Sequence, residues 1–310
     1  MLNVCEILGT KYPIIQGAMA RIAEYHLAAA VSNGGGLGII AAGGQSGDWL
    51  KDQIKKTREM TDKPFGVNIM LMADNVDELV EVVCEEKVPV VTTGAGNPGK
   101  YIAKMKEHGI KVIPVVANVT LALRVERAGA DAVVAEGTEA GGHLGTQQSI
   151  KDILPDIVKA VNIPVIAAGG ATDGAAVAEL LKLGASGVQM GSRFAASEES
   201  NGAPALKELY LKMTKEDVVQ IDSPVGYKGR AILNPFAKQV LEGTQPRPRT
   251  CDNCLKQCSR SFCIIRALTR AQQGDVETGL VFTGANMWKI KEILPVKEIF
   301  RRLKEEIAKI

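Results

Sequence analysis

The chain has 310 residues, a formal net charge of +2 and an aromatic content of 4%. A dedicated nucleic-acid-binding protein is usually far more basic and offers aromatic side chains for base stacking, so this class is excluded. No run of about 18 or more apolar residues is present that would span a membrane. Because the first residues form neither a basic leader nor an apolar signal core, we expect a cytoplasmic protein without a membrane partner.

Short apolar runs alternate with longer amphipathic stretches through the first two-thirds of the chain. The runs are rich in valine and isoleucine and lack polar alternation, which is typical of parallel strands buried on both faces. They occupy residues 12–16, 37–41, 66–71, 88–92, 111–116, 131–136, 163–168 and 187–191. The stretches between them carry apolar residues at three- and four-residue spacing and predict helices. These helices are expected at residues 20–33, 48–61, 76–86, 100–108, 120–128, 149–160 and 173–183.

This succession of β/α units predicts an α/β fold, a (β/α)8 TIM barrel. A doubly wound open sheet is the alternative, but that fold usually carries a GxGxxG loop after its first strand, and none is present. The alternation stops after residue 196. We therefore predict a second, smaller, mainly helical domain at residues 197–279, inserted after strand eight. Residues 1–196 and 280–310 would form the barrel, with a closing helix at 296–310.

Two glycine turns follow strands seven and eight, where the active site of such a barrel lies. They are Gly169-Gly170 and Gly191-Ser192, and each opens a predicted helix. Backbone amides at such turns can bind a phosphate, whereas either turn alone is equally well explained as an ordinary tight turn. One phosphate site without a dinucleotide motif or a Schiff-base lysine favours FMN. A phosphorylated sugar substrate is the alternative.

Further residues at the strand ends are candidates for contact with a flavin ring. Such a ring needs apolar backbone against one face and hydrogen-bond partners at its edge. Ordinary core packing is the alternative explanation for Met19, and a satisfied buried amide is the alternative for Asn68. The candidates are Gly17, Ala18, Met19, Asn68 and Gln189, and Glu136 and Met190 at the ends of strands six and eight are further candidate cofactor contacts.

The stretch after strand six, DAVVAEGTEAGGHLGT at residues 131–146, carries His143 in a glycine-rich loop. A histidine exchanges a proton near neutral pH, and glycines let backbone approach a ligand closely. A surface histidine beside a tight turn is the alternative. The position of the loop at a strand end of the barrel makes His143 the candidate catalytic residue.

Seven motifs resemble those of the flavin-dependent nitronate monooxygenase superfamily. Within it they look most like the FMN-containing enoyl-acyl-carrier-protein reductases of the FabK type. The motifs are QGAMA (16–20), SNGGGLGIIAAG (32–43), PFGVNIML (64–71), VVTTGAGNP (90–98), AEGTEAGGHLG (135–145), IPVIAAGG (163–170) and QMGSRF (189–194). They cover the predicted barrel, whereas the last third of the chain resembles the family less.

The resemblance implies an oxidoreductase of fatty acid synthesis. Hydride would pass from NADH or NADPH through FMN to the β-carbon of a 2-enoyl thioester on acyl carrier protein. His143 matches the family's essential histidine, Glu136 resembles a residue on the flavin side or one that holds the loop, and a homodimer is the family expectation. In nitronate-oxidising relatives the same histidine is the base, so a nitronate monooxygenase is the alternative. A third hypothesis is an interaction module, against which the intact glycine loops and His143 count.

Four cysteines form a C-x2-C-x3-C-x4-C cluster in the predicted second domain, namely Cys251, Cys254, Cys258 and Cys263. In a reducing compartment, such a cluster indicates thiolate ligation of zinc or of an iron–sulfur cluster. Simple thiols or a local disulfide are equally compatible with the sequence. The spacing matches no common ferredoxin or zinc-ribbon pattern, so the identity of any metal stays open.

Basic residues on the last helical stretches have two interpretations. They are Arg266, Arg270, Arg301, Arg302 and Lys304. The first interpretation is a solvated helix face. The second is a docking patch for the acidic acyl carrier protein.

Overall fold

A computed structural model describes residues 3–308 of the chain, with an eight-stranded parallel barrel surrounded by helices. The strands are β1 (Ile14–Gln16), β2 (Gly38–Ala41), β3 (Phe65–Met70), β4 (Val90–Gly94), β5 (Lys111–Val116), β6 (Val133–Glu136), β7 (Gly142–Leu144), β8 (Val165–Ala168), β9 (Gly187–Met190), β10 (Val218–Asp222) and β11 (Lys228–Ile232). Of these, β7, β10 and β11 form a separate small sheet. The predicted (β/α)8 barrel is confirmed.

The barrel strands pair in the order β1-β9-β8-β6-β5-β4-β3-β2, and every pair is parallel. Backbone contact between Ile15 and Leu37 joins β1 to the start of β2 and closes the circle. Because all strands run in one direction, all their carboxyl ends, and the loops that follow them, meet at one end of the barrel.

The helices follow the strands as predicted, with one additional short helix at the amino terminus and three helices within residues 197–279. They are α1 (Val4–Leu8), α2 (Tyr25–Asn33), α3 (Gly47–Met60), α4 (Val76–Glu85), α5 (Gly99–Glu107), α6 (Val119–Arg127), α7 (Ile150–Ala160), α8 (Gly174–Lys182), α9 (Ser192–Ala195), α10 (Pro204–Lys212), α11 (Pro235–Glu242), α12 (Ile264–Gln272) and α13 (Val296–Ile307). A 3₁₀ turn spans Met287–Lys289. Residues 309 and 310 of the predicted last helix lie outside the described residues.

Apolar side chains fill the space inside the barrel and the layer between the strands and the helices. Ile39, Ile113 and Ile166 point inward and are almost fully buried, and each such side chain contributes roughly 1.5–3 kcal/mol by leaving water. Val4 and Leu8 of α1 join this inner cluster and cover the amino-terminal end of the barrel. The carboxyl end is therefore the open one.

Two element boundaries differ from the prediction. The fourth strand was expected at residues 88–92 and lies at Val90–Gly94, because residues 88 and 89 belong to the approach from α4. The first long helix was expected from residue 20 and begins at Tyr25. Arg21 has a φ of +70°, a left-handed conformation that interrupts a helix, so residues 20–24 form an irregular loop at the open end.

The segment predicted as a second domain, residues 197–279, is called the second unit below. It contains a sheet as well as the expected helices. Strands β10 and β11 form an antiparallel hairpin, and β7 pairs with β11 through the register Gly229 to His143. His143 therefore lies on a short strand, whereas the sequence placed it in a loop. The mainly helical description of residues 197–279 holds for α10, α11 and α12, but it omitted the hairpin that connects this unit to the barrel.

Residues before the last helix contact the second unit, and the helix itself contacts the barrel. Thr283 donates its backbone N–H to Arg230, and Ile232 donates to Val281. Helix α13 then packs on α8 and α2, and its Phe300 ring occupies space that a side chain at Gly34 would fill. The domain division at residues 197–279 stays a prediction. No helix within residues 3–308 is long and apolar enough to cross a membrane.

Candidate active site

A cavity of about 360 Å³ opens at the carboxyl end of the barrel, under the second unit. This volume lies within the range of small-molecule sites. The predicted site residues that line it are Gly17, Ala18, Met19, Asn68, Glu136, His143, Gly169, Gly170, Gln189, Gly191 and Ser192. Met190 is the exception, because its side chain lies in the layer between the strands and the surrounding helices, where it is 1% exposed. Both glycine turns and the imidazole thus border the same space.

The loop between β6 and β7 is held by contacts with the start of α7 and with β11. Glu139 accepts a hydrogen bond from the Ser149 hydroxyl and, at 3.0 Å, one from the Ile150 backbone N–H, and so caps α7. The Arg230 guanidinium donates at 2.6 Å to the Thr138 carbonyl and at 3.2 Å to the Ala140 carbonyl. These bonds fix the path of the chain from the barrel strand to the strand that carries His143.

His143 lies in a partly buried, aromatic setting. Its Nε2 atom is 2.7 Å from the Ser223 hydroxyl oxygen, and its ring stands edge-on to Phe282 at a centroid distance of 5.1 Å. Burial lowers the pKa of His143 to about 4, because the imidazolium form would lose its hydration. The side chain is therefore neutral at pH 7 and offers one donor and one acceptor nitrogen.

Glu136 ends β6 and lines the cavity directly. Burial raises the pKa of this carboxyl group to about 7, because the charged form is poorly solvated there. Near neutral pH the group therefore exists in both forms. The protonated form can donate a hydrogen bond to a ligand, which the ionised form cannot do.

The two glycine turns have the backbone geometry of an anion site. Gly169 and Gly170 have φ values of +118° and +79°, which L-residues with a side chain rarely adopt. Asn286 fixes the second of these turns by donating at 2.8 Å to the Gly170 carbonyl. At Gly191 an added Cβ would meet only the Met19 sulfur, 3.9 Å away, so the backbone faces open cavity. A phosphate group fits a space of this kind between two turns.

Polar groups are few on the remaining walls, and apolar side chains predominate. Asn68 donates at 2.9 Å to the Thr92 hydroxyl, which orients its amide at the end of β3. The second unit supplies an apolar wall, formed by Leu206, Tyr210, Leu255, Ile264, Ile265 and Leu268. The cavity therefore has a polar end at the glycine turns and an apolar side below α10 and α12.

Sequence reasoning missed two residues at the site. Ser223 and Arg230 contact His143 and the loop before it, yet they lie 80 and 90 residues away from these partners in the chain. No local motif marks either residue. Only the pairing of the β10–β11 hairpin with β7 brings them next to His143 and its loop, and neither of them lines the cavity itself.

The two remaining sequence predictions concern charged and sulfur-containing side chains. Arg301 and Arg302 pair with Glu298, and Arg302 also pairs with Glu292, which favours a solvated helix face over a free basic patch.

The six cysteines form no disulfide. Within residues 3–308, no three His, Cys, Asp or Glu side chains are already arranged around one metal position.

A parallel barrel with a cavity at its carboxyl end, two glycine turns that suit a phosphate and a partly buried histidine has the arrangement of a barrel enzyme that binds a phosphate-bearing ligand. The nitronate monooxygenase family model matches residues 3–79 and 71–306, which together cover almost the whole chain. The chain therefore belongs to the nitronate monooxygenase family of flavin-dependent oxidoreductases.

Three relatives illustrate the range of reactions in this family. The structure of FabK from Thermotoga maritima has a TM-score of 0.91 and 45% identity, over 99% of this chain and 96% of that one. The (3aS,4S,5R,7aS)-5-hydroxy-7a-methyl-1-oxo-octahydro-1H-indene-4-carboxyl-CoA dehydrogenase of Rhodococcus jostii is 39% identical over 76% of this chain and 67% of its own length. A protein of Staphylococcus saprophyticus, described as a probable nitronate monooxygenase, is 34% identical over 77% of this chain and 81% of its own length.

Proposed function

We propose that the protein is an FMN-dependent enoyl-acyl-carrier-protein reductase that takes hydride from NADH or NADPH. The observation that carries this proposal is the 45% identity with FabK from Thermotoga maritima over 99% of the chain. The similarity to a carboxyl-CoA dehydrogenase adds support, because a coenzyme A thioester and an acyl-carrier-protein thioester present the same reactive group. A homodimer and a cytoplasmic location stay predictions.

The residues along the cavity suit FMN. Backbone amides at Gly169, Gly170, Gly191 and Ser192 would hold its phosphate. The segment Gly17–Met19 would lie against the ring, with Asn68, Gln189 and Glu136 at its edge. When bound, the flavin supplies hydride transfer between the nicotinamide and the β-carbon of the enoyl thioester.

His143 would bind the thioester end of the substrate. As a neutral imidazole it can donate a hydrogen bond to the thioester oxygen, where negative charge builds as hydride reaches the β-carbon. A proton must then reach the α-carbon, and the imidazole would deliver it or orient its donor. The apolar wall formed by α10 and α12 would accommodate the acyl chain and exclude water.

Anaerobic half-reactions test this proposal. The purified yellow protein is reduced with NADH or NADPH, and crotonyl thioester of coenzyme A or acyl carrier protein is then added. We expect the flavin absorbance to bleach and then to return with formation of the saturated thioester. A flavin that NADH or NADPH reduces but that no enoyl thioester reoxidises would contradict the proposal.

A nitronate monooxygenase is the second candidate, supported by the 34% identity with the staphylococcal protein described in that way. The same neutral imidazole could accept a proton from a nitroalkane, although a group with a pKa of about 4 is a weak base. Oxygen uptake with propyl nitronate, compared with NADH consumption with crotonyl thioester, separates the two reactions. Rapid oxygen uptake without thioester reduction would favour the second.

Glu136 should make flavin binding depend on pH. Because its pKa is about 7 and burial favours the protonated form, ionisation puts a charge beside the bound ring. We expect FMN affinity to fall roughly tenfold from pH 6 to pH 8, with the loss beginning near pH 7. The Glu136→Gln variant should lack this part of the dependence. Fluorescence titrations of both proteins measure it, and the titration of the FMN phosphate itself is common to both. Identical pH profiles would contradict the prediction.

Ser223 should position His143 for turnover. Its hydroxyl is 2.7 Å from Nε2 and only 8% of the residue is exposed, so removal leaves the imidazole without this partner. We expect Ser223→Ala to lower kcat about 3- to 10-fold, equivalent to one hydrogen bond, with KM nearly unchanged. Ser223→Thr keeps the hydroxyl and should restore most of the rate. A kcat that stays normal in the alanine variant, or stays low in the threonine variant, would rule out this role.

A further inference from the structure

The connection between α11 and α12, residues 243–263, has no helix or strand of its own. Connections of this length without regular structure are uncommon in a compact protein unless something else orders them. Phe262 is the only buried residue of this segment. Apolar burial therefore compensates little of the entropy that is lost when the segment takes one conformation.

All four clustered cysteines lie in this segment. Cys251, Cys254, Cys258 and Cys263 are free thiols, and they are separated by two, three and four residues. The backbone N–H of Arg260 donates to the Cys258 sulfur at 3.4 Å. Metal ligands are commonly held by further hydrogen bonds of this kind.

The net positive charge of the segment is opposite in sign to the charge of a metal ion bound by four thiolates. The segment has four cationic side chains, Arg247, Arg249, Lys256 and Arg260, against the single carboxylate of Asp252. A divalent ion with four thiolates carries two net negative charges, and nearby cations stabilise such a group. The carboxylate of Asp252 already pairs with Arg266 of α12 at 3.2 Å, and Lys256 has a counter-charge outside the segment in Asp77.

Cys263 also has a position that favours a thiolate. It is the N-cap residue of α12, a helix of nine residues, and its side chain makes no capping hydrogen bond. The first turn of α12 contains no acidic residue. The partial positive charge at a helix N-terminus lowers the energy of a thiolate placed there.

We propose that these four cysteines bind a thiophilic metal centre, either a zinc ion or an iron–sulfur cluster, as tetrathiolate ligands. Because no three of them are already arranged around one position, binding requires the thiol side chains to turn toward a common centre. Metal binding would then supply the free energy that orders the segment, as it does in small metal-stabilised domains.

The centre would support one wall of the active-site cavity. Leu255 pairs with Ala73 across an isolated bridge, and the Lys256 N–H donates at 3.0 Å to the Met72 carbonyl. Leu255 lines the cavity, as do Ile264 and Ile265 immediately after Cys263. This role does not depend on which reaction the flavin site catalyses.

Metal analysis of the full chain tests the proposal. The flavoprotein is purified under anaerobic, reducing conditions from medium that contains zinc and iron, and zinc, iron and acid-labile sulfide are measured. We expect about one zinc per chain, or iron with an equal amount of sulfide, which also distinguishes the two kinds of centre. A metal-free protein, or a disulfide between any of the four cysteines in the freshly purified chain, would overturn the proposal.

Variants link the metal to the cluster. Serine at all four positions, or Cys263→Ser alone, should reduce the metal content at least tenfold, whereas the control Cys5→Ser should leave it unchanged. As a readout that does not require a stable variant, Co²⁺ added to the metal-free wild-type protein should give the intense charge-transfer absorption of cobalt thiolates. Absence of that absorption, or full metal content in the quadruple serine variant, would contradict the assignment.

Discussion

Replacing His143 with alanine is expected to lower the turnover of enoyl thioester by about 10²–10⁴, the usual contribution of a positioned proton donor or acceptor. The bound flavin should be retained, because the glycine turns and the loop of Gly17–Met19 remain. The imidazole is fixed by Ser223 at 2.7 Å and by the edge-on ring of Phe282, so no neighbouring side chain can replace it without moving. Stopped-flow reoxidation of the reduced flavin by crotonyl thioester measures the loss.

The result depends on an intact fold, so a matched histidine variant is needed. His108 is exposed at the end of α5, where Nδ1 contacts the Lys104 carbonyl, and it is remote from the cavity lining. His108→Ala should therefore keep the wild-type rate. If His143→Ala binds flavin and still reoxidises it at the wild-type rate, the imidazole has no role in the reaction.

Replacing Gly191 with valine is expected to weaken FMN binding roughly 10- to 100-fold and so to lower the flavin content of the purified protein. The residue has an ordinary φ of −96°, so the substitution brings no left-handed backbone strain. An added Cβ would find open cavity, with only the Met19 sulfur 3.9 Å away, and the valine methyl groups would occupy the space proposed for the cofactor phosphate. Overpacking of this kind costs about 1–3 kcal/mol, which weakens FMN binding by roughly 10- to 100-fold.

A graded series at the same position controls for general damage. Gly191→Ala adds one carbon and should weaken FMN binding less than Gly191→Val does, while the thermal midpoint of the flavin-free protein stays close to that of the wild type. Equilibrium titration with FMN gives the affinities. Wild-type affinity in the valine variant would place the phosphate elsewhere.

Local sequence determined the barrel and much of its open end. Parallel strands buried on both faces need continuous apolar runs. Such runs can be recognised in the sequence before the pairing of the strands is known, as at Lys111–Val116. Because all strands of such a barrel point the same way, the residues after each strand had to meet, and this placed His143 beside Gly169 and Gly191. The alternation of side chains along a strand likewise explains why Gln189 faces the cavity whereas Met190 faces the surrounding helices.

Other features were decided only by tertiary contacts. The sequence Gly142–Leu144 has weak strand propensity and becomes β7 because β11 supplies its hydrogen-bonding partners from about 85 residues further along the chain. The same pairing brings Ser223 to the imidazole and Arg230 to the loop before it. Contacts between distant segments leave no periodic signal in either segment, so a sequence determines them only through the complete fold. The barrel could thus be predicted from its strands, whereas the setting of its central histidine could not.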